Sequence, residues 1–381
     1  MKLDPSELRE RLRPLFEDNF QKLGELGAAI SVWKEGTPIV DFHGGFRDAR
    51  REQAWTDKTI VLFWSATKGL GSACLLHVLQ ENNINLGQRV SEFWPEFARE
   101  EKNEITLSQL MSHQAGLAAL DKPADITDYS AVIEAIEAQK PLWPPGTAHG
   151  YHARTFGFLL DELVRRIAGQ TLGQYWRETF ANPLGLDIWI GLPDAENSRA
   201  ATVHAANAGK RPEPASFYRD LMETGTLARR TFTSPYGLHA VSGMNSSENR
   251  ARSIVSLGGI GSASSLARFY AMLANEGCLD GKQFFTATTL ALMETTLTSG
   301  LDRVFQIPTA FSAGFMKDPP NAQRRIFGPH ERAFGHPGAG GSHAFADPET
   351  RLSFAYVMNQ MEQSLLPTEK SLRLVDAIYS E

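Results

Sequence analysis

Apolar residues recur along this chain with two different spacings, and the changes of spacing mark out its elements. Leu8, Leu12, Leu15, Phe16 and Leu23 fall on one helical stripe, which predicts an amphipathic helix within Met1 to Leu26, kinked at Pro14. Ala28 to Trp33 and Thr37 to Phe46 alternate side to side around Lys34-Glu35-Gly36, the pattern of two strands and a turn, with Gly44-Gly45 ending or bulging the second. The run Ile60 to Trp64 reads as a strand that gives way to a helix from Lys68 to about Leu79, where Leu70, Cys74, Leu75 and Val78 share a face. Helical spacing then dominates. Thr155 to Ala168 carries Leu159, Leu160, Leu163, Val164 and Ile167 and stops at Gly169; Leu172 to Phe180 and Ser265 to Asn275 follow.

Between about Glu196 and Arg252 the sequence turns small, polar and irregular, as in Asn207-Ala208-Gly209-Lys210-Arg211-Pro212. This predicts loop structure, either covering a pocket or standing in solvent. Strands return at His343 to Ala346 and Arg351 to Met358 around the turn Asp347-Pro348-Glu349-Thr350, and Thr368 to Tyr379 closes as a helix with Leu372, Val375 and Ile378 inward. Strands at both ends with helices between imply an α/β (α+β) fold: one antiparallel sheet built from both termini, with a mainly helical lobe inserted. The expected division is residues 1–68 plus 253–381 for the sheet domain and 69–252 for the lobe.

Composition narrows the partner. Apolar residues make up 42% of the chain and charged residues 22%, the balance of an ordinary globular protein. A net charge of -6 and the lack of a dense Lys/Arg run speak against nucleic acid and leave a small molecule as the expected partner. The N-terminal segment lacks the apolar run of a signal peptide, and no segment approaches a membrane span, so cytoplasmic residence is expected, away from membranes. Cys74 and Cys278 read as free thiols, with a disulfide possible but not implied. Oligomeric state stays open.

The chemistry concentrates at Ser65-Ala66-Thr67-Lys68, where strand gives way to helix. On a helix, residues three apart share a face, so the Lys68 amine can reach the Ser65 hydroxyl and act as its base. The helix N-terminus favours negative charge at the serine oxygen and disfavours a protonated lysine. Ser31 and Lys34 have the same spacing, but on a strand they point to opposite faces. The bland alternative makes Ser65 a helix N-cap and Lys68 an unrelated surface residue. A lysine base also needs a partner for proton transfer. Tyr151, in the turn-rich stretch Trp143 to Ala153, could be aimed into a cleft or could merely pack at a helix start. Acyl transfer needs two oxyanion donors. The Ser65 N–H can be one, and the glycine-rich Gly335-His336-Pro337-Gly338-Ala339-Gly340-Gly341-Ser342 can approach closely enough to supply the other, unless it is a simple hairpin loop. His330, His336 and His343 are scattered and joined by no cysteine or paired carboxylate, so no metal is expected.

Taken together these residues resemble the serine β-lactamase-like and penicillin-binding-protein-like superfamily, in particular the branch of class C β-lactamases, D-Ala-D-Ala peptidases and family VIII carboxylesterases. The S-x-x-K motif matches at Ser65 and Lys68, the tyrosine motif at Tyr151, and the third motif at His336-Pro337-Gly338 on the expected last inner strand. Leu110 to Leu117, Pro183-Leu184-Gly185-Leu186, Gly258-Gly259 and Ser262-Ala263 also sit where the family has landmarks, so the likeness runs from about Leu26 to Asn359. The resemblance implies that Ser65 is the nucleophile, that Lys68 and Tyr151 exchange its proton, and that the oxyanion lies between the N–H groups of Ser65 and Ala339, with His336 and Gly338 beside the substrate. Two departures bear on substrate. Ala153 stands where class C β-lactamases carry an asparagine, and His336-Pro337-Gly338 replaces the Lys-Thr-Gly that holds a β-lactam carboxylate. Histidine binds a carboxylate less reliably than lysine, and Pro337 offers no N–H. The expected function is a serine carboxylesterase that cleaves short-chain esters through an acyl-enzyme without a cofactor. A β-lactamase, a D-Ala-D-Ala peptidase or an acyltransferase of the same fold is the alternative, and a silent relative that only binds a ligand is the rival from another class.

Overall fold

Glu35 and Gly36 both take positive φ, 51° and 75°, the left-handed pair that a tight hairpin turn requires. They join β1 (Gly27–Lys34) to β2 (Thr37–Gly45) in a computed structural model that describes residues 3–207, 214–364 and 366–380. A small sheet follows from β3 (Val61–Leu62), β4 (Ile188–Ile190) and β5 (Gly259–Gly261), with β5 in its centre. After the hairpin of β6 (Cys278–Leu279) and β7 (Lys282–Gln283) come β8 (Thr298–Leu301), β9 (Pro308–Phe311) and β10 (Met316–Lys317). β11 (Phe334–Gly335), β12 (His343–Asp347) and β13 (Leu352–Met358) complete the strands. The main sheet is antiparallel in the order β2-β1-β13-β12-β11-β10-β9-β8, so strands from the two termini lie side by side, Ala28 opposite Met358 and Val32 opposite Phe354.

Both faces of this sheet are covered. Ala28, Ile30 and Val32 of β1 enter the core that holds Leu8, Leu12 and Phe16 of the helix Pro5–Gln21 and Leu372, Val375 and Ile378 of the helix Glu369–Tyr379. Their neighbours Ala29 and Trp33 enter the other core, with the helix Ala263–Ala274, because successive side chains of a strand point to opposite faces. That double burial is why β1 is apolar almost throughout. The second core continues into the helical part, where the helix Thr67–Glu81 is buried along nearly its whole length and packs against the helix Thr155–Ala168.

Several expectations need correction. The first helix runs through Pro14 and ends at Gln21, so Leu23 falls beyond it and is exposed, while Asn19 takes a buried place on the stripe. The stretch Leu172 to Phe180 is helical as expected, α-helical over Leu172–Trp176 and widening into a π-helix over Arg177–Ala181. The segment expected as loop carries short helices, among them Ala215–Met222, Leu227–Thr233 and Ser247–Arg250. Capping by Thr226 and Ser246 and isolated buried anchors such as Phe217, Ala228 and Met244 fix them, too sparsely spaced to give a readable period. Of the stretch Asn207 to Pro212, residues 208–212 lie outside the described residues. Cys74 and Cys278 are free thiols, and no described helix is long and apolar enough to cross a membrane.

A buried ion pair ties the C-terminal helix to the link between the first helix and β1, beside β13. Lys370 Nζ lies 3.2 Å from Glu25 Oε2, and the Tyr356 hydroxyl donates to the same oxygen at 2.6 Å. Lys370→Met leaves a buried carboxylate without its cation and should cost about 3–5 kcal/mol in urea unfolding, while the double change Glu25→Gln with Lys370→Met should recover most of it. A loss under about 1 kcal/mol for the single variant would mean that the pair behaves as a solvated one.

Candidate active site

β3 delivers Ser65 to its place. Phe63 N–H donates to Gly259 O at 2.8 Å on β5, and then Trp64 takes φ 54°, an uncommon conformation for a bulky residue, which turns the chain sharply. The Thr67 hydroxyl locks this corner by donating to Trp64 O and accepting from Gly259 N–H. Ser65 thus sits in a short turn, Trp64–Ala66, just before the helix Thr67–Glu81, and stays half-buried at a cleft. The N-cap of that helix is Ala66, and no side chain caps it, so the N-cap reading of Ser65 fails.

Lys68 is fully buried, and its Nζ lies 3.2 Å from Ser65 Oγ and 2.7 Å from Ser256 O. Burial holds this amine well below the ordinary lysine value of 10.5, and the Arg154 charge adds to the effect. Tyr151 closes the group, with its ring centroid 4.9 Å from Lys68 Nζ and both Ser65 and Tyr151 on the cleft wall. Burial raises the phenol above its ordinary value, the Ser65 hydroxyl beside it works the other way, and Asp302 adds to the rise. The phenol therefore keeps its proton at neutral pH while the amine can lose one.

The turn that carries Tyr151 rests on two supports. One is the segment Leu110 to Leu117. Gly150 N–H donates to His113 O, His152 N–H donates to His113 Nδ1 at 3.2 Å, and the His113 ring lies 5.1 Å from the Tyr151 ring. The other is Asp302, a buried carboxylate that accepts from the N–H groups of Tyr151, Val304 and Phe305 and from the Thr309 hydroxyl. Phe305 in turn stacks on Tyr151 at 4.6 Å. His152 stays neutral, pushed down to about 4 by burial. His149 is held between Thr298 and Thr309.

The third motif follows β11 rather than lying within a strand, which corrects its expected placement. His336 N–H still donates to Ala344 O, but Gly338 N–H turns back to Ser342 O and Ala339–Gly341 form a tight turn. The reason is close approach: a Cβ on Gly338 would sit 2.0 Å from Phe63 O, two residues before the serine. This brings Ala339 onto the cleft wall with Ser65, Tyr151 and His336. Burial pushes His336 down to about 3, with the Lys68 charge adding to it, so the ring is neutral. Its Nδ1–H donates to Pro337 O at 2.8 Å, which leaves Nε2 an unpartnered acceptor. His330, His336 and His343 turn to Asp347, Pro337 O and Ser371 respectively, and no group of metal-ligating residues occurs among the described residues.

With serine, amine and phenol gathered at one cleft, the comparisons decide the family. The beta-lactamase family matches residues 16–377. The chain belongs to the beta-lactamase family. It is similar to the esterase/beta-lactamase LipL of Mycobacterium tuberculosis, with 29% identity over 90% of this chain and 79% of that protein. Among solved structures it resembles a novel penicillin-binding protein homolog from Caulobacter crescentus, with 35% identity, a TM-score of 0.86 and 98% and 97% of the two chains covered. It also resembles a family VIII carboxylesterase, with 33% identity, a TM-score of 0.87 and the same coverage. This beta-lactamase-family chain is thus a hydrolase fold, with its sheet and helices arranged as in those relatives.

Sequence reasoning missed several residues of the site. Asp302, Ser256 and Arg154 act on Tyr151 or Lys68 from distant parts of the chain, and no local pattern marks them. Phe232, Phe305 and Met316 line the cleft as ordinary apolar residues, indistinguishable in sequence from core. Gly338→Ala forces a Cβ onto Phe63 O and should destabilise the protein by about 1–3 kcal/mol in chemical denaturation. An unchanged midpoint would mean that the turn has slack beside the serine.

Proposed function

We propose that the protein is a serine carboxylesterase acting on short-chain, uncharged esters through an acyl-enzyme. In this reading Ser65 Oγ attacks the ester carbonyl and its proton passes to the neutral Lys68 amine. Tyr151 gives its own proton to the departing alkoxide and is reprotonated from Lys68, so the two groups together carry one proton from nucleophile to leaving group. The oxyanion lies between the backbone N–H groups of Ser65 and Ala339, and water then repeats the sequence in reverse.

The observation that carries the substrate class is the cleft wall. Apart from Ser65, Tyr151 and His336 it is formed by Phe232, Phe305, Met316, Pro337, Ala339 and Ser364, with no lysine or arginine among its described residues. The one ionisable ring at the third motif stays neutral. A substrate carboxylate would meet no cation there, whereas a neutral ester loses nothing by entering. The likeness to a family VIII carboxylesterase supports this reading. The likeness to a protein named for both activities keeps β-lactam hydrolysis as the second reading.

Paired assays with p-nitrophenyl butyrate and nitrocefin separate the two. Ester turnover should dominate, and Ser65→Ala should lower it by at least about a thousandfold. Nitrocefin turnover without ester turnover would overturn the substrate class. Stable acylation without release would mark an acyltransferase, and no covalent adduct would mark a binding protein.

The pH profile tests the base. Catalysis needs the unprotonated amine, so kcat/KM should rise with pH as Lys68 loses its proton, along a limb lying below the ordinary lysine value of 10.5. Lys68→Arg, which stays protonated, should remove both the limb and the activity. A limb at or above the free lysine value would exclude Lys68 as the neutral base.

A further inference from the structure

Met316 lines two spaces at once. One is the cleft that holds Ser65 and Tyr151, with a free volume of about 40 Å³. The other is a groove of about 390 Å³, walled by Pro308, Pro319, Ala322, Ile326 and Leu366. Pockets that hold small ligands run from about 300 to 1,000 Å³, so the groove is ligand-sized and the space at the serine is not. The divider stands on firm backbone: Met316 pairs with Gly335, just before His336, and with Phe311 on β9. Its side chain, by contrast, is an unbranched thioether with several soft torsions, the kind that yields to a neighbour at low cost.

The charged groups around the groove are already engaged. Lys317 donates to Glu331 O and Ala333 O, Arg324 pairs with Glu369 and Asp376, and the Asp318 carboxylate accepts from the N–H groups of Ile326 and Phe327. What remains for a ligand is mainly apolar wall. Such a surface recognises hydrocarbon, each buried methylene adding to the affinity, and offers little to an anion or a sugar.

We propose that the groove continues the ester-binding cleft, that it takes the unbranched apolar chain of esters too long for the cleft, and that the Met316 side chain sets the chain length admitted. The inference rests on the esterase reading and names the part of the substrate that reading leaves open. A short ester can place its carbonyl at the serine with Met316 left where it is. A long one must displace Met316, so turnover falls as the chain grows. Removing the divider joins the two spaces.

The test compares p-nitrophenyl butyrate with p-nitrophenyl decanoate, and ethyl acetate with decyl acetate. Wild type, Met316→Ala, Met316→Val, and Met316→Ala combined with Ala322→Trp are assayed on each, and Ser65→Ala sets the background. Both single variants should raise the long-to-short ratio of kcat/KM, by about tenfold or more for Met316→Ala. The tryptophan at position 322, which occupies the groove from another of its lining positions, should return the ratio toward that of wild type. A rise confined to decanoate assigns the groove to the acyl chain, a rise confined to decyl acetate to the alcohol, and either supports the proposal. Ratios within about twofold of wild type in both series, with Ser65-dependent hydrolysis of the short esters intact, would overturn it. So would a rise that the groove-filling tryptophan leaves untouched. Failure of the esterase reading looks different: wild type itself would then show no Ser65-dependent hydrolysis of any ester in the set.

Discussion

An amine is buried at Lys68 with no carboxylate among the described residues to pair with it, and the arrangement of the site follows from that fact. Its hydrogen-bond partners are a hydroxyl and a peptide carbonyl, and the charge that acts on it is another cation, Arg154. An ammonium in that position loses its hydration and gains no ion pair, so the neutral form is favoured. The same desolvation acts on every titratable group nearby. His113, His152 and His336 are all held below the ordinary imidazole value and Tyr151 above the ordinary phenol value. The result is a cluster of neutral donors and acceptors around one serine, suited to passing a proton and poorly suited to binding an ion.

A neutral cluster has little long-range attraction to hold it together, so positioning comes from backbone and packing. Three close approaches do this. Gly338 touches Phe63 O, Gly259 lies against Thr67, and Gly157 of the helix Thr155–Ala168 packs on Ser256, whose carbonyl receives the Lys68 amine. A side chain at any of these positions would push apart the strand, the helix and the turn that meet at Ser65. Asp302 does the corresponding work for Tyr151, since one buried carboxylate collects the N–H groups of the tyrosine and of the residues leading to Phe305. Desolvation raises the pKa of this carboxyl, and the hydrogen bonds from Phe305, Val304 and Tyr151 N–H groups oppose that rise.

Membership of the beta-lactamase family fixes the fold but leaves the substrate to details of the cleft wall. Here those details point one way. A neutral histidine and a proline stand in the third motif, aromatic and aliphatic side chains line the rest, and the adjoining groove has its charges turned away into local pairs. Met316 borders both spaces because β10 runs beside β11, an adjacency between residues about twenty apart in sequence that arises only when the sheet forms.

The local pattern of the sequence was enough for the elements that obey one rule at a time. The hairpin of β1 and β2, the helix Thr155–Ala168 and the strands at both ends follow from spacing and turn residues alone, and Ser65 with Lys68 follows from helical geometry. Where the first helix stops, the short helices after Glu196 and the tight turn at Ala339 were not legible, because they depend on what each segment meets rather than on its own period. The same holds for the site. That Tyr151 lies against Lys68, that Asp302 seats it, that His336 is neutral and that Met316 borders two spaces are consequences of burial and of contacts between distant segments. Sequence spacing determines which groups can share a face; only the folded chain decides which of them lose their water, and desolvation is what sets their charge.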